Sequence, residues 1–168
     1  MINLNKPSFE EIKSKVLTAI ETLQKKDVYL LDVNVNERSV CHKFAEYLQI
    51  EFGPSWNVDC EFNRNGLDIK KMEFLSNLIG TSSANDTEAK TIYPDIIVHK
   101  RGDKKMNLLV IEAKKKNGDE KNDVEKLKMF TQDEEFKYEW GLFLRFLYPE
   151  KDISKWLKWF KDGQLWNC

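Results

Sequence analysis

A chain of 168 residues is long enough for one compact domain with its own core, and 41% hydrophobic with 33% charged residues is typical of globular rather than disordered proteins. Lys and Arg number 27 against 28 Asp and Glu, and the net charge of -1 excludes a polybasic nucleic-acid binder of the histone type while leaving room for a local basic groove. The 3 cysteines are widely spaced and form no CxxC pair, which favours neither a disulfide framework nor a zinc site.

The N-terminal half begins with predicted helices. Apolar residues at helical spacing predict an N-terminal helix over about 8–26, and residues 28–35 read as a short strand or an extended connection. Asn36 is a suitable N-cap for a further helix that ends near Gly53. Glu37 falls on or beside the apolar stripe of that helix, although the first turn of a helix favours negative charge.

Short strands are predicted in the middle of the chain. Residues 56–66 indicate a strand that runs into a turn, residues 67–80 a short helix, and residues 81–90 a mobile loop. Two apolar runs follow, at 91–100 and 107–115, and the intervening "RGDKK" is typical of a hairpin connection.

The remaining elements complete a mixed α/β pattern. A helix over 118–133, a strand over 138–148 and a closing helix over 152–163 are predicted. The expected order is α-α-β-(loop)-β-β-α-β-α, in a single domain that covers 1–168. The chain has no apolar signal segment and no run as long as a membrane span, so we expect a cytoplasmic protein that does not contact membranes.

The two apolar runs carry charges where a strand would be expected to bury apolar side chains. Alternation along the second run places Glu112 and Lys114 on one side and Ala113 on the other. If the runs pair as an antiparallel hairpin, Asp95 at the head of the first lies beside Glu112. Two acids and a lysine at the edge of an apolar sheet are costly unless they are paired or bind a metal, and their oxygen atoms suit Mg²⁺ or Mn²⁺.

Pro94-Asp95 followed by Glu112-Ala113-Lys114 resembles the PD-(D/E)xK motif of the restriction-endonuclease-like nuclease superfamily. The resemblance covers about 36–148, because an early helix with an acid precedes the motif and an α-β unit follows it. It implies an α/β fold with a restriction-endonuclease-like core, in which a central mixed β-sheet is flanked by helices.

The same resemblance implies a Mg²⁺- or Mn²⁺-dependent nuclease, most simply one that cleaves DNA. Asp95, Glu112 and the carbonyl of Ala113 would bind the metal, and Lys114 would assist the attacking water. Glu37 would either bind the metal as a further ligand or contact the residues that bind it. The long stretch between Glu61 and Pro94 departs from the most compact members of the superfamily.

Several other residues have two interpretations each. Glu61 either adds a carboxylate or fixes Lys114, or is an ordinary exposed strand acid. Lys126 either points towards the active edge, as in many members of the superfamily, or lies on a solvated helix face. His99 is interpreted as structural. Possible contacts to a nucleic-acid backbone, with a solvated turn as the alternative for the first four, are Asn63, Arg64, Lys70, Lys71, Lys115 and Lys116.

Two other functions stay open at this point. The first is a nucleic-acid-binding module on the same fold that has lost catalysis. The second is an interaction protein that docks through its tryptophan-rich C-terminus, which predicts an exposed Trp159. Core packing or a dimer contact explains Trp156, Trp159 and Trp166 better than base stacking does. The near-neutral charge also leaves room for a homodimer or a partner subunit that supplies affinity for nucleic acid.

Overall fold

The computed structural model describes residues 6–33, 35–62 and 93–167. The predicted short helix over 67–80 and the predicted mobile loop at 81–90 lie outside these ranges. No helix within them is long and apolar enough to cross a bilayer. In chain order the elements are α1 (Phe9–Lys26), α2 (Val28–Asp32), α3 (Glu37–Phe52), β1 (Asn57–Cys60), β2 (Ile96–Lys100), β3 (Asp103–Lys115), α4 (Lys121–Gln132), β4 (Trp140–Phe146), a 3₁₀ helix (Ile153–Trp156), β5 (Leu157–Lys161) and β6 (Gln164–Trp166).

The two long N-terminal helices begin at side-chain caps. Ser8 and Glu11 form a capping box at the start of α1, in which the Glu11 carboxylate accepts a hydrogen bond from the Ser8 N–H at 2.7 Å. The Asn36 side chain accepts from the Arg38 N–H at 2.9 Å and starts α3, which ends at Gly53. Both helices, including the predicted span of about 8–26, are confirmed.

The segment after α1 differs from its prediction. Residues 28–35 were expected to be a strand or an extended connection, but Val28–Asp32 form the short helix α2. No residue of α2 is buried, although Leu30 and Leu31 pack against the edge of the core. A turn of helix that contributes so little apolar surface has only a weak periodic signal in the sequence.

A mixed sheet forms the centre of the fold. Its strands run in the order β1-β2-β3-β4-β5-β6, and β3 and β4 are the parallel pair among antiparallel neighbours. Helix α4 connects β3 to β4, as a parallel pair requires a crossover. The α/β class and the mixed sheet flanked by helices are therefore confirmed.

The β2–β3 hairpin fixes the register on which the site depends. Ile96 pairs with Ile111 and Val98 with Leu109, so the start of β2 lies opposite the end of β3. The connection is tighter than the predicted 101–105, because β3 already begins at Asp103. A register shift near His99 interrupts the regular pairing towards the turn.

The C-terminal segment was expected to be a helix over 152–163, and that prediction is wrong. It forms a short 3₁₀ helix and then the β5–β6 hairpin. Asp162 and Gly163 adopt φ of 49° and 75°, which is the left-handed conformation of a tight hairpin turn. Trp156 and Trp159 are both buried in the core, Trp156 from the end of the 3₁₀ helix and Trp159 from β5.

Each face of the sheet is covered by helices. Helices α1 and α3 pack on one face over the larger apolar cluster, which includes Phe44, Ile111 and Leu142. Helix α4 covers the opposite face, where Leu127 and Phe130 pack against strand residues. The start of β2 and the end of β3 lie between the N-terminus of α3 and the first turns of α4, because Glu37 contacts Lys115 and Lys126 contacts Glu112.

Candidate active site

Asp95 and Glu112 occupy facing positions at the open end of the β2–β3 hairpin. The register that pairs Ile96 with Ile111 places Asp95 opposite Glu112 when it is continued by one residue. The Ala113 N–H donates a hydrogen bond to Asp95 Oδ2 at 2.7 Å. The predicted proximity of Asp95 to the motif strand is confirmed.

Glu37 reaches the same strand end from the first turn of α3. Its Oε2 accepts a hydrogen bond from the Lys115 N–H at 2.9 Å. An acid at this position also suits the positive end of the helix dipole. The structure thus brings Glu37 to the motif strand, where its carboxylate contacts the backbone two residues beyond Ala113.

Glu112 is a buried carboxylate whose two oxygens have different surroundings. Its side chain is 1% exposed, and Oε2 lies 2.7 Å from the Nζ of Lys126. No described residue forms a hydrogen bond to Oε1. A buried carboxylate oxygen without a partner is costly in a stable core, and it offers a ligand position to a cation.

Asp123 is a site residue that the sequence analysis missed. It lies in the first turn of α4, its side chain is 7% exposed, and it joins the two lysines of the site. Oδ1 lies 3.1 Å from Lys126 Nζ, and Oδ2 lies 3.1 Å from Lys114 Nζ. The four side chains form a continuous chain of charges from Glu112 through Lys126 and Asp123 to Lys114.

These contacts exclude one interpretation each for Lys126 and Glu61. Lys126 does not lie on a solvated helix face, because its side chain is 19% exposed and its ammonium contacts Glu112 and Asp123. Glu61 is not the partner of Lys114. Its carboxylate pairs with Arg38 at 2.8 Å, and its backbone N–H donates to the Asp95 carbonyl.

Burial dominates the protonation of the two facing acids. It raises the pKa of Glu112 well above its usual range, against the lowering effect of the Lys126 ammonium. It also raises the pKa of Asp95, an effect that the hydrogen bond from the Ala113 N–H opposes. A positive charge beside either carboxyl group favours its ionised form and so lowers its pKa.

Neighbouring acids determine the protonation of the two lysines. Burial would lower the pKa of Lys126 and of Lys114, but the neighbouring acids outweigh it and raise both values. Glu112 and Asp123 cause the rise at Lys126, and Asp123 is the main cause at Lys114. A raised pKa favours the ammonium form of Lys114, which donates hydrogen bonds and offsets negative charge.

An open hollow lies beside Asp95 on the side of α3, and Glu112 is not part of its lining. Its lining includes Glu37, Arg38, Glu61, Tyr93 and Asp95. A charged group on a ligand could approach Asp95 by this route.

Other predicted residues lie elsewhere or outside the described ranges. Asn63, Arg64, Lys70 and Lys71 belong to the stretch that the structure does not describe. Lys116 is exposed on the turn after β3, and the half-buried Lys115 precedes it. His99 is buried and its Nε2 lies 2.8 Å from Asp59 Oδ2, which agrees with a structural role.

The described acids offer oxygen ligands to a small hard cation such as Mg²⁺, but they do not form a complete coordination shell. Within residues 6–33, 35–62 and 93–167, no group of three or more His, Cys, Asp or Glu side chains is arranged to hold a metal ion. Mg²⁺ is nevertheless often bound through one or two carboxylates, with water and phosphate oxygens completing the shell. Asp95 and the unpartnered Oε1 of Glu112 supply oxygen atoms of that kind.

No family model, no curated protein and no solved structure matches this chain.

Proposed function

We propose that the protein is a metal-dependent nuclease of the PD-(D/E)xK type, with a restriction-endonuclease-like core, that hydrolyses phosphodiester bonds in DNA. The observation that carries the proposal is the placement of Asp95 opposite Glu112 at the end of one hairpin, with Lys114 two residues beyond Glu112 on the same side of the strand. A purely structural role explains this arrangement poorly, because burying charges contributes little net stability.

Asp95 and Glu112 would hold the metal, Mg²⁺ or Mn²⁺, and the Ala113 carbonyl is a third oxygen ligand in this proposal. When bound, the ion supplies Lewis-acid chemistry that activates water and offsets charge on the phosphate. Glu37 holds the backbone of Lys115 and so fixes the end of the strand that carries these ligands. It acts as a support or as a further ligand.

Lys114 supplies the positive charge that the reaction needs beside the acids. Hydrolysis forms a bond from a water oxygen to phosphorus and breaks the bond to the leaving oxygen, which takes up a proton. Negative charge develops on the phosphate oxygens, and a positioned ammonium stabilises it. Asp123 holds Lys114 at 3.1 Å, so the ammonium is already oriented before substrate arrives.

The net charge of -1 places limits on how nucleic acid is bound. A sequence without excess basic residues cannot rely on global attraction to phosphates, so local contacts must supply affinity. Lys115 and Lys116 lie next to the motif and suit such contacts. A partner subunit with an excess of basic residues would add further positive charge.

A cleavage assay tests the proposal. Wild-type protein is incubated with Mg²⁺ or Mn²⁺ and a panel of labelled single-stranded, duplex, flapped and junction DNA, with matched RNA. We expect metal-dependent cleavage of at least one DNA substrate that is lost in Glu112→Gln and Lys114→Ala. Glu125→Gln is the matched control, because Glu125 pairs with Lys128 on the outer part of α4. Undiminished cleavage in the first two variants would reject the assignment.

One observation favours a second candidate, a nucleic-acid-binding module without catalysis. The Lys126 ammonium already neutralises Glu112 at 2.7 Å, so the acids are partly compensated without a metal. This candidate predicts DNA binding without cleavage in every divalent metal. Docking through the C-terminal tryptophans is less well supported, because Trp159 is buried rather than exposed.

A further inference from the structure

A second cavity lies between α2, α3, the turn that follows β3 and the end of β4. Its volume is about 380 Å³, within the range of small-molecule sites. Leu30, Val33 and Val40 form apolar walls, together with Phe146 and Tyr148 from the end of β4. Lys115 and Lys116 lie at its border.

We propose that this cavity binds the base of an unpaired nucleotide next to the phosphate that is cleaved. The inference rests on the proposed function and deepens it, because it names single-stranded or locally unpaired nucleic acid as the substrate class. A flat base needs an apolar slot and an aromatic neighbour, and the attached phosphate needs a nearby cation. The lining of the cavity offers each of these.

The cavity is tied directly to the candidate active site. Glu37 hydrogen-bonds the Lys115 N–H, and Lys115 lines the cavity. Gly118, on the same turn, packs against the side chain of Lys114, since an added Cβ would lie 2.7 Å from the Lys114 Cδ. A nucleotide bound in the cavity would therefore place its phosphate near Lys116, on the turn that directly follows the strand end with Glu112 and Lys114.

The wall made by this turn is held in place before any ligand binds. Arg145 Nη1 donates hydrogen bonds to the carbonyls of Lys116 at 3.1 Å and Gly118 at 2.7 Å. Its Nη2 pairs with Glu120 at 2.8 Å. Because the wall is already ordered, less conformational entropy is lost when a ligand binds than at a flexible surface loop.

Asp32 is the acid among the described residues that line the cavity. Its carboxylate repels a phosphate but accepts a hydrogen bond from the exocyclic amino group of a base. This arrangement favours a base in the slot near α2 and a phosphate near Lys116. Deoxycytidine 5′-monophosphate, which has such an amino group, is therefore a suitable probe.

Amide chemical shifts of the full chain, recorded in EDTA, test the cavity without any cleavage. Deoxycytidine 5′-monophosphate and a short single-stranded DNA are each expected to shift the amides of residues 30–33 and 116–118, and inorganic phosphate is expected to leave 30–33 unshifted. Val33→Trp fills the slot and Tyr148→Ala removes an aromatic wall, so each should weaken binding of both probes about tenfold. Ile50→Trp is the control, because Ile50 is 70% exposed and does not line this cavity.

The outcomes separate the cavity from the nuclease assignment. Equal shifts with inorganic phosphate, or undiminished binding in Val33→Trp, would overturn the nucleotide site even if Glu112-dependent cleavage is found. Shifts with the mononucleotide but not with single-stranded DNA would assign the cavity to a free nucleotide and overturn its place in the substrate strand. Binding of both probes without metal-dependent cleavage would retain the nucleotide site and reject the nuclease.

Discussion

The Nζ of Lys126 lies 2.7 Å from Oε2 of Glu112, so the helix that follows the motif strand places an ammonium group directly on its buried acid. Lys126 also contacts Asp123, which holds Lys114. This pairing means that a cation is already beside Glu112 in the metal-free protein. A divalent ion at the same carboxylate must compete with it or share the free oxygen.

Competition between Lys126 and metal gives a first prediction. Lys126→Met removes the ammonium and should increase the affinity for Mn²⁺ about tenfold, which corresponds to roughly 1.4 kcal/mol. The substitution keeps most of the aliphatic volume on α4. Calorimetric titration of wild type and variant measures the difference. Lys128→Met is the control, since Lys128 pairs with Glu125 away from Glu112; weaker Mn²⁺ binding in Lys126→Met would contradict the competition.

Asp123 gives a second prediction, which concerns activity. Asp123→Asn keeps the shape of the side chain but weakens its hold on both lysines. We expect kcat to fall by about tenfold to a hundredfold, as it does when other residues that hold the reacting groups in position are changed. KM should change little, because Asp123 does not contact substrate in this account. A rise in KM alone, or an equal loss in Glu125→Gln, would argue against a positioning role.

Glu37 gives a third prediction, which can be tested without knowing the substrate. Glu37→Ala removes the acceptor for the Lys115 N–H and should lower the free energy of unfolding by about 1–3 kcal/mol. Hydrogen exchange at the Lys115 amide should become faster. Glu46→Ala is the matched control on the same helix, because Glu46 forms only exposed contacts with His42 and Lys43 and should leave that exchange unchanged.

The ion pairs of Asp59 give a fourth prediction, on the dependence of stability on pH. Burial would raise the pKa of Asp59, but hydrogen bonds from Arg101 and His99 outweigh it and hold the pKa below its ordinary value. An acid whose pKa is lower in the folded state stabilises the protein at any pH above its unfolded pKa of about 3.9. That contribution is lost as the pH falls through the folded value.

Denaturation of wild type and Asp59→Asn across the acid range measures this effect. The stability difference between them should be largest above about pH 4 and shrink below it. Asp32→Asn, an exposed acid on α2, should follow the wild-type profile. A difference that grows as the pH falls would contradict the sign of the argument.

The hairpin and its two acids could be predicted because they depend on local rules. Alternation along a strand assigns Glu112 and Lys114 to one side, and antiparallel pairing brings the start of one strand to the end of the other. Asp95 and Glu112 then face each other whatever the rest of the chain does. The proximity of Glu37 was also expected, although only packing of α3 on the sheet determines it.

The C-terminal hairpin was missed because its apolar spacing fits two structures. Trp156 and Phe160 are spaced as on one helix face, yet the turn at Asp162-Gly163 is a strong hairpin signal when aromatic residues flank it. Greater weight on that dipeptide would have predicted β5 and β6. The short 3₁₀ helix before β5 has no comparable signal.

Asp123 was missed although a signal was present. It lies 4 residues before Leu127 and 7 before Phe130, so it falls on the buried face of α4. The same reasoning had been applied to Glu37. Its pairing with both lysines depends on how α4 sits on the sheet, which periodicity alone does not determine.

The central claim is that Asp95 and Glu112 together hold a divalent metal ion. Calorimetric titration with Mn²⁺, with and without inorganic phosphate, on wild type and on the Asp95→Asn and Glu112→Gln double variant tests it most directly. We expect saturable binding to wild type that is lost in the double variant, while circular dichroism shows an unchanged fold. Binding of equal strength in both proteins, or none to wild type even with phosphate, would contradict it.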